Sequence, residues 1–249
     1  FYNECADDCT FAITNNNFGA GLKWQSNVNI SQQATPVTAD IDGDGTPEII
    51  VVQNVQNNNR IKIIDGLTGQ EESEIILPTQ SFPTYLAVGD VDKDGTGEIF
   101  LQEGFDLNRY EHDGTFTAGT TVFSPGSFGW PGTVGLADFD GDGSTEVYFS
   151  NQIFNSTDMS VVAMLPVTTL DALISVAVDV LPDSACPDCE GLELVMGRRV
   201  YSVDISTGLV LQQTEALNMD NGLVSIADID KDGDLDGVVS VFNPAFPSG

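Results

Sequence analysis

The same acidic loop returns four times in this chain, each time between runs of apolar, strand-forming residues. It reads ADIDGDGTPEI from Ala39, GDVDKDGTGEI from Gly89, ADFDGDGSTEV from Ala137 and ADIDKDGDLDG from Ala227. The first aspartates of successive copies stand 50, 48 and 90 residues apart. The long last interval has room for one more unit, and a degraded loop sits there at Asp179. Five units of just under fifty residues thus cover nearly the whole chain. Each unit is one supersecondary element that must bury its apolar face against its neighbours.

The loop chemistry points to a hard cation. Calcium takes six to eight oxygen ligands, and a short loop supplies them when acids alternate with residues that let the backbone curl. In the first copy Asp40, Asp42 and Asp44 hold positions one, three and five. Gly45 allows a positive φ, Thr46 offers its carbonyl at position seven, and Glu48 closes at nine. The other copies match place by place. They are Asp90, Asp92, Asp94, Thr96 and Glu98; Asp138, Asp140, Asp142, Ser144 and Glu146; and Asp228, Asp230, Asp232, Asp234 and Asp236. Asp-Gly alone would suit a polar hairpin turn. Four carboxylates crowded four times over need neutralising, because they would otherwise repel one another. The donors are all oxygen, with no His or Cys inside the loops, which favours calcium over zinc. Magnesium suits them less, since it demands octahedral geometry and keeps its waters. The expected load is about four Ca2+, or five if Asp179, Asp183 and Glu193 hold one.

The last acid falls at position nine rather than twelve, and strand-like runs replace flanking helices, so each loop joins two β-strands. Every unit also carries a second hairpin, such as Arg60 to Asp65 turning at Gly66–Gly69 into Glu71 to Leu77. The unit at Asp179 repeats it with Arg199 to Asp204 and Leu209 to Gln213. Four short strands per unit predict an all-β chain, a β-propeller of four-stranded blades. Blades are expected over 34–78, 82–123, 131–168 and 172–215, with half-blades over 10–30 and 223–242, all in one domain 1–249. The half-blades would complete one blade and close a five-bladed ring, removing exposed edges. The alternative is a piece of a larger, for example seven-bladed, propeller.

These loops and the apolar strand after each resemble the FG-GAP and VCBS-type repeats of integrin α-subunit propellers and secreted bacterial proteins. The Phe-Gly and Gly-Ala-Pro elements are absent apart from an echo at Phe18-Gly19-Ala20, so the likeness is to the bacterial branch. The resemblance implies a calcium-loaded propeller used outside the cell for adhesion or recognition.

Composition fits that setting. The net charge is −30, from 8 basic and 38 acidic residues, yet 41% of residues are hydrophobic, which argues against disorder. About sixteen of the acids lie in the loops; four divalent ions would leave a net −22. Such a surface repels nucleic acid and anionic lipid. No run of apolar residues is long enough to span a membrane. A secreted or surface location is expected, and a start at Phe1 fits a leader already removed. The cysteines form two close pairs, Cys5 with Cys9 and Cys186 with Cys189. Local disulfides suit an oxidising compartment, with a four-cysteine zinc site or a redox CPDC as competing readings.

Catalytic signals are sparse. His112, the single histidine, is expected in a solvated turn, and the acids are committed to the loops. Trp24 and Trp130 are candidate sugar platforms or core aromatics, and Arg198-Arg199 is the single adjacent basic pair. Asn29-Ile30-Ser31 and Asn155-Ser156-Thr157 fit the glycosylation pattern. The expected function is a non-catalytic adhesion or recognition module binding an extracellular protein or glycan. The alternatives are a fibre or sheath subunit that adds strands to its own copies, and a calcium-dependent polysaccharide lyase or glycosidase.

Overall fold

The computed structural model describes residues 12–14, 22–28, 35–53, 59–77, 83–122, 133–166, 174–182, 184, 190–215 and 222–241. Among these the regular structure is all β, in twenty strands. They form four antiparallel four-stranded meanders and two hairpins. The first sheet holds β3 (Val37–Ala39), β4 (Glu48–Gln53), β5 (Arg60–Asp65) and β6 (Glu71–Ile76). The second holds β7 (Pro83–Gly89), β8 (Glu98–Glu103), β9 (Asp106–Tyr110) and β10 (Phe116–Thr121). The third holds β11 (Val134–Ala137), β12 (Glu146–Phe149), β13 (Gln152–Asn155) and β14 (Val161–Met164). The fourth holds β15 (Ser175–Val178), β16 (Glu193–Met196), β17 (Arg199–Asp204) and β18 (Leu209–Glu215). The hairpins are β1 (Ala12–Thr14) with β2 (Leu22–Gln25), and β19 (Gly222–Ala227) with β20 (Asp236–Val241).

The chain divides into two compact units, Phe1–Thr117 and Ala118–Gly249. Within each, the first strands of consecutive sheets lie side by side. These are β3 with β7 in one unit, and β11 with β15 and β15 with β19 in the other. The second strands explain this stacking. EIIVVQ, EIFLQE, EVYF and ELVM are almost continuous apolar runs, the pattern of a strand covered on both faces. In β4 the side chains alternate between two neighbours. Ile50 and Val52 join Ile61, Ile63 and the second sheet's Ile99, Leu101 and Tyr110. Ile49 and Val51 turn with Ile64 to the other side, against Trp24 and Val28. In the second unit Phe139, Ile153 and Leu165 meet Leu194, Met196 and Tyr201. The fourth strands are exposed edges; β6 reads EESEII with one residue buried. Charged side chains on such an edge discourage pairing with other chains.

Trp24 is partly buried and packs within the first unit. Its Nε1–H donates to the Gly66 carbonyl at 3.1 Å, and its ring lies where a Cβ on Gly69 would be, 2.3 Å away. Trp130 and the Asn29 acceptor lie outside the described residues.

Candidate metal centres

Each acidic loop joins the first and second strands of its sheet, so the loop ends are fixed by antiparallel pairing: Ala39 with Glu48, Gly89 with Glu98, Ala137 with Glu146 and Ala227 with Asp236. Between these anchors one hydrogen-bond pattern recurs. The position-one carboxylate accepts the N–H of the position-six glycine: Gly45 to Asp40 at 3.0 Å, Gly95 to Asp90 at 3.1 Å, Gly143 to Asp138 at 2.8 Å and Gly233 to Asp228 at 3.3 Å. The position-three carboxylates of Asp42, Asp92, Asp140 and Asp230 accept the N–H two residues on, at 3.1–3.3 Å. Those of Asp44, Asp94, Asp142 and Asp232 do the same for Thr46, Thr96, Ser144 and Asp234 at 2.6–3.0 Å. These are Asx turns, in which a carboxylate replaces a backbone acceptor.

The ninth-position acid closes the loop. Its carboxylate accepts the N–H of position two: Ile41 to Glu48 at 2.9 Å, Val91 to Glu98 at 2.8 Å, Phe139 to Glu146 at 3.1 Å and Ile229 to Asp236 at 2.9 Å. Glu48, Glu98 and Glu146 are buried, and burial pushes each carboxyl above its ordinary value. Neighbouring loop aspartates push the same way, while the backbone N–H opposes them.

Carboxylate oxygens of these acids also converge. Within 4.8 Å of one another lie one oxygen each from Asp90, Asp92, Asp94 and Glu98; from Asp40, Asp42 and Glu48; from Asp138, Asp140 and Asp142; and from Asp228, Asp230 and Asp236. Asp44, Glu146 and Asp232 stand outside those clusters and hold backbone N–H groups instead. The donor sets are wholly oxygen, and Glu98 Oε1 and Asp138 Oδ1 are buried with no hydrogen-bond partner. A buried anionic oxygen with no donor is costly unless a cation meets it. A hard divalent ion fits these residues, and it would supply charge neutralisation and cross-linking of the loop.

The fourth loop keeps the clamp. Glu193 is buried, its carboxyl is also raised by burial, and its Oε2 accepts the N–H groups of Val180 and Leu181 at 3.0 Å each. Asp179 is exposed and joins no acidic cluster among the described residues. Asp183, Cys5, Cys9, Cys186 and Cys189 lie outside the described residues.

Three features escaped the sequence reading. First, position four is left-handed in all four intact loops: Gly43 and Gly141, but also Lys93 (φ 64) and Lys231 (φ 65). Second, successive loops are bonded through backbone. Gly97 N–H donates to the Ile41 carbonyl at 2.7 Å, and Leu192 N–H donates to the Phe139 carbonyl at 2.9 Å. In both pairs the residue before a ninth-position acid reaches position two of the preceding loop. Third, Arg109 is buried beside the second loop, its Nη2 3.0 Å from Asp92 Oδ2. His112 is half-buried rather than solvated, and Arg198 and Arg199 are partly buried at the β16–β17 turn.

Repeats of this geometry have relatives. The FG-GAP-like repeat family model matches residues 40–101, the first two loops and the strands between them. No curated protein sequence matches the chain. Among solved structures, the chain is similar to the V. cholerae biofilm matrix protein Bap1, with a TM-score of 0.58 and 23% identity over 94% of this chain and 38% of that one. It is also similar to rhamnogalacturonan lyase YesW, with a TM-score of 0.61 and 16% identity over 88% of this chain and 47% of that one. For the Bacillus licheniformis rhamnogalacturonan lyase PL11 the values are 0.59, 17%, 88% and 47%. The chain spans less than half the length of each of these proteins. At such identities the likeness concerns the fold, which is of β-propeller type.

Proposed function

We propose that this chain is a calcium-binding β-propeller that works outside the cell as an adhesion or recognition module and carries no catalytic activity. The observation behind this reading is the repeated division of labour in the loops. The loop acids accept backbone N–H groups, and in each intact loop three or four of them also bring one carboxylate oxygen each to within 4.8 Å of one another. The calcium is structural: it fixes the hairpins whose outer turns present a binding face. Each of the four full sheets is one blade of it. The β19–β20 hairpin exposes Leu223, Ile229, Leu235 and Val238, an apolar set suited to cover by further strands. The biofilm matrix protein among the similar structures supports an extracellular role.

The lyases among those structures favour a second reading, action on an acidic polysaccharide. Incubating the chain with pectic and other acidic glycans in calcium separates the two. Retention on a glycan or protein surface without new unsaturated sugar ends agrees with recognition, and turnover overturns it. Sedimentation in calcium adds the test of strand exchange between copies, since a ring closed on itself runs as a monomer.

A further inference from the structure

The second loop differs from the others by one residue behind it. In each sheet, the residue two places after the ninth-position acid faces a third-strand partner: Ile50 faces Ile63, Tyr148 faces Ile153, and Phe100 faces Arg109. Ile63 and Ile153 are buried core residues. Arg109 occupies the matching place and is equally buried, at 4% exposure. A buried guanidinium brings a charge and five N–H donors into the interior, so its burial calls for anions. The aliphatic stem fills the space an isoleucine fills elsewhere, and the head reaches the acids. Nη2 lies 3.0 Å from Asp92 Oδ2, 3.8 Å from Glu98 Oε2 and 3.6 Å from Glu111 Oε1.

Asp92 and Glu98 are two of the four acids whose oxygens converge in this loop. Glu98 Oε1 remains buried without a hydrogen-bond partner, so the guanidinium does not use up the site. The two cations share the same carboxylates. We infer that Arg109 is a tethered cation of the second loop, which holds that loop in shape without a metal ion and competes with a divalent ion for Asp92 and Glu98. The inference rests on the calcium reading above. It makes the second loop the first to empty as calcium falls, with its hairpin left standing, while the loops backed by Ile63 and Ile153 depend on their ions.

The test is a calcium titration of chelator-stripped protein, following the amide resonances of Gly45, Gly95, Gly143 and Gly233, one per loop. Gly95 should half-saturate at about tenfold more calcium than Gly45 and Gly143, since a positive charge a few ångströms from the ion opposes binding. Arg109→Met should remove that difference and lower the melting temperature in chelator more than in calcium. Should the Met variant not fold, Arg109→Lys keeps the charge and should leave the Gly95 midpoint within about twofold of wild type. A Gly95 midpoint equal to or below that of Gly45, or weaker calcium binding at Gly95 in Arg109→Met than in wild type, overturns the role of Arg109 alone. If none of the four amides moves with calcium, the calcium reading falls, and this inference with it.

Discussion

At the scale of single residues, the loops work because two positions accept left-handed backbone. Position six is glycine in every intact copy, with φ between 87° and 101°. Position four is equally left-handed, and there the chain tolerates lysine twice. A side chain at positive φ costs about 1 kcal/mol, so Lys93 and Lys231 are affordable where space is open. Gly43 is not interchangeable with them. A Cβ there would stand 2.2 Å from the Gly95 carbonyl oxygen of the next loop, a backbone atom that cannot swing aside. Gly43→Ala should therefore destabilise the first unit by about 2–4 kcal/mol, the φ penalty plus a backbone clash. Lys93→Gly should change stability by no more than about 1 kcal/mol in either direction, because relief of φ offsets the looser unfolded chain. Denaturant melts of the two variants check this, and equal losses would refute the packing account. The alternation of acids and the position-six glycine were legible in the sequence, because ion binding and turn formation both demand them there. Position four was not, since a lysine gives no sign of left-handed backbone.

At the scale of the strand and its turn, the second hairpin shows how one geometry is reached by different residues. In the first sheet Asp65 accepts the Thr68 N–H, and Gly69 donates to the Asp65 carbonyl at 2.8 Å. Asp204, Thr207 and Gly208 repeat this in the fourth sheet. Hydrogen bonds from the turn hold the Asp65 and Asp204 carboxyls below their ordinary values, with the Thr68 and Thr207 hydroxyls the largest influence. In the third sheet Asn155 plays the aspartate, accepting the N–H groups of Thr157 at 2.9 Å and Asp158 at 3.2 Å. Met159, at φ 59°, stands where the others have glycine. Two effects then oppose each other in Met159→Gly. Releasing the left-handed strain gains about 1 kcal/mol, but Met159 is fully buried, and truncating a buried methionine costs about 2–5 kcal/mol. The burial term wins, so the variant should lose about 1–4 kcal/mol on thermal or denaturant unfolding. A stabilised variant would show that the side chain contributes little to the core. Strand limits such as Glu48–Gln53 and Arg60–Asp65 were readable because apolar runs end in Asp-Gly or acid signals. Arg109 was not, because a basic residue within β9 looks solvent-facing until the register sets it opposite Phe100.

For the molecule as a whole, the dominant quantity is charge. Thirty more acidic than basic residues set self-repulsion against the compact state, and the loops concentrate it where carboxylates meet within 4.8 Å. Repeat order and all-β class follow from the spacing of those loops. A divalent ion in each cluster would cancel the repulsion at its source. An ion present at a hundred times its dissociation constant adds roughly 2.7 kcal/mol per site. Monovalent salt acts more weakly by screening, with a Debye length of about 10 Å at 0.1 M and about 3 Å at 1 M. The two remedies should therefore substitute for each other in part. In chelator the melting temperature should fall sharply and recover partially as sodium chloride is raised toward 1 M. In millimolar calcium the same salt series should move it little, because the crowded charge is already neutralised. Magnesium at equal concentration should restore less than calcium, since these exposed loops cannot impose its tight octahedral shell. Melts across this grid of ions decide the matter. A melting temperature indifferent to chelator, or restored as fully by magnesium as by calcium, would mean that the acid clusters are solvated turns and that hydrophobic stacking of the sheets alone carries the fold.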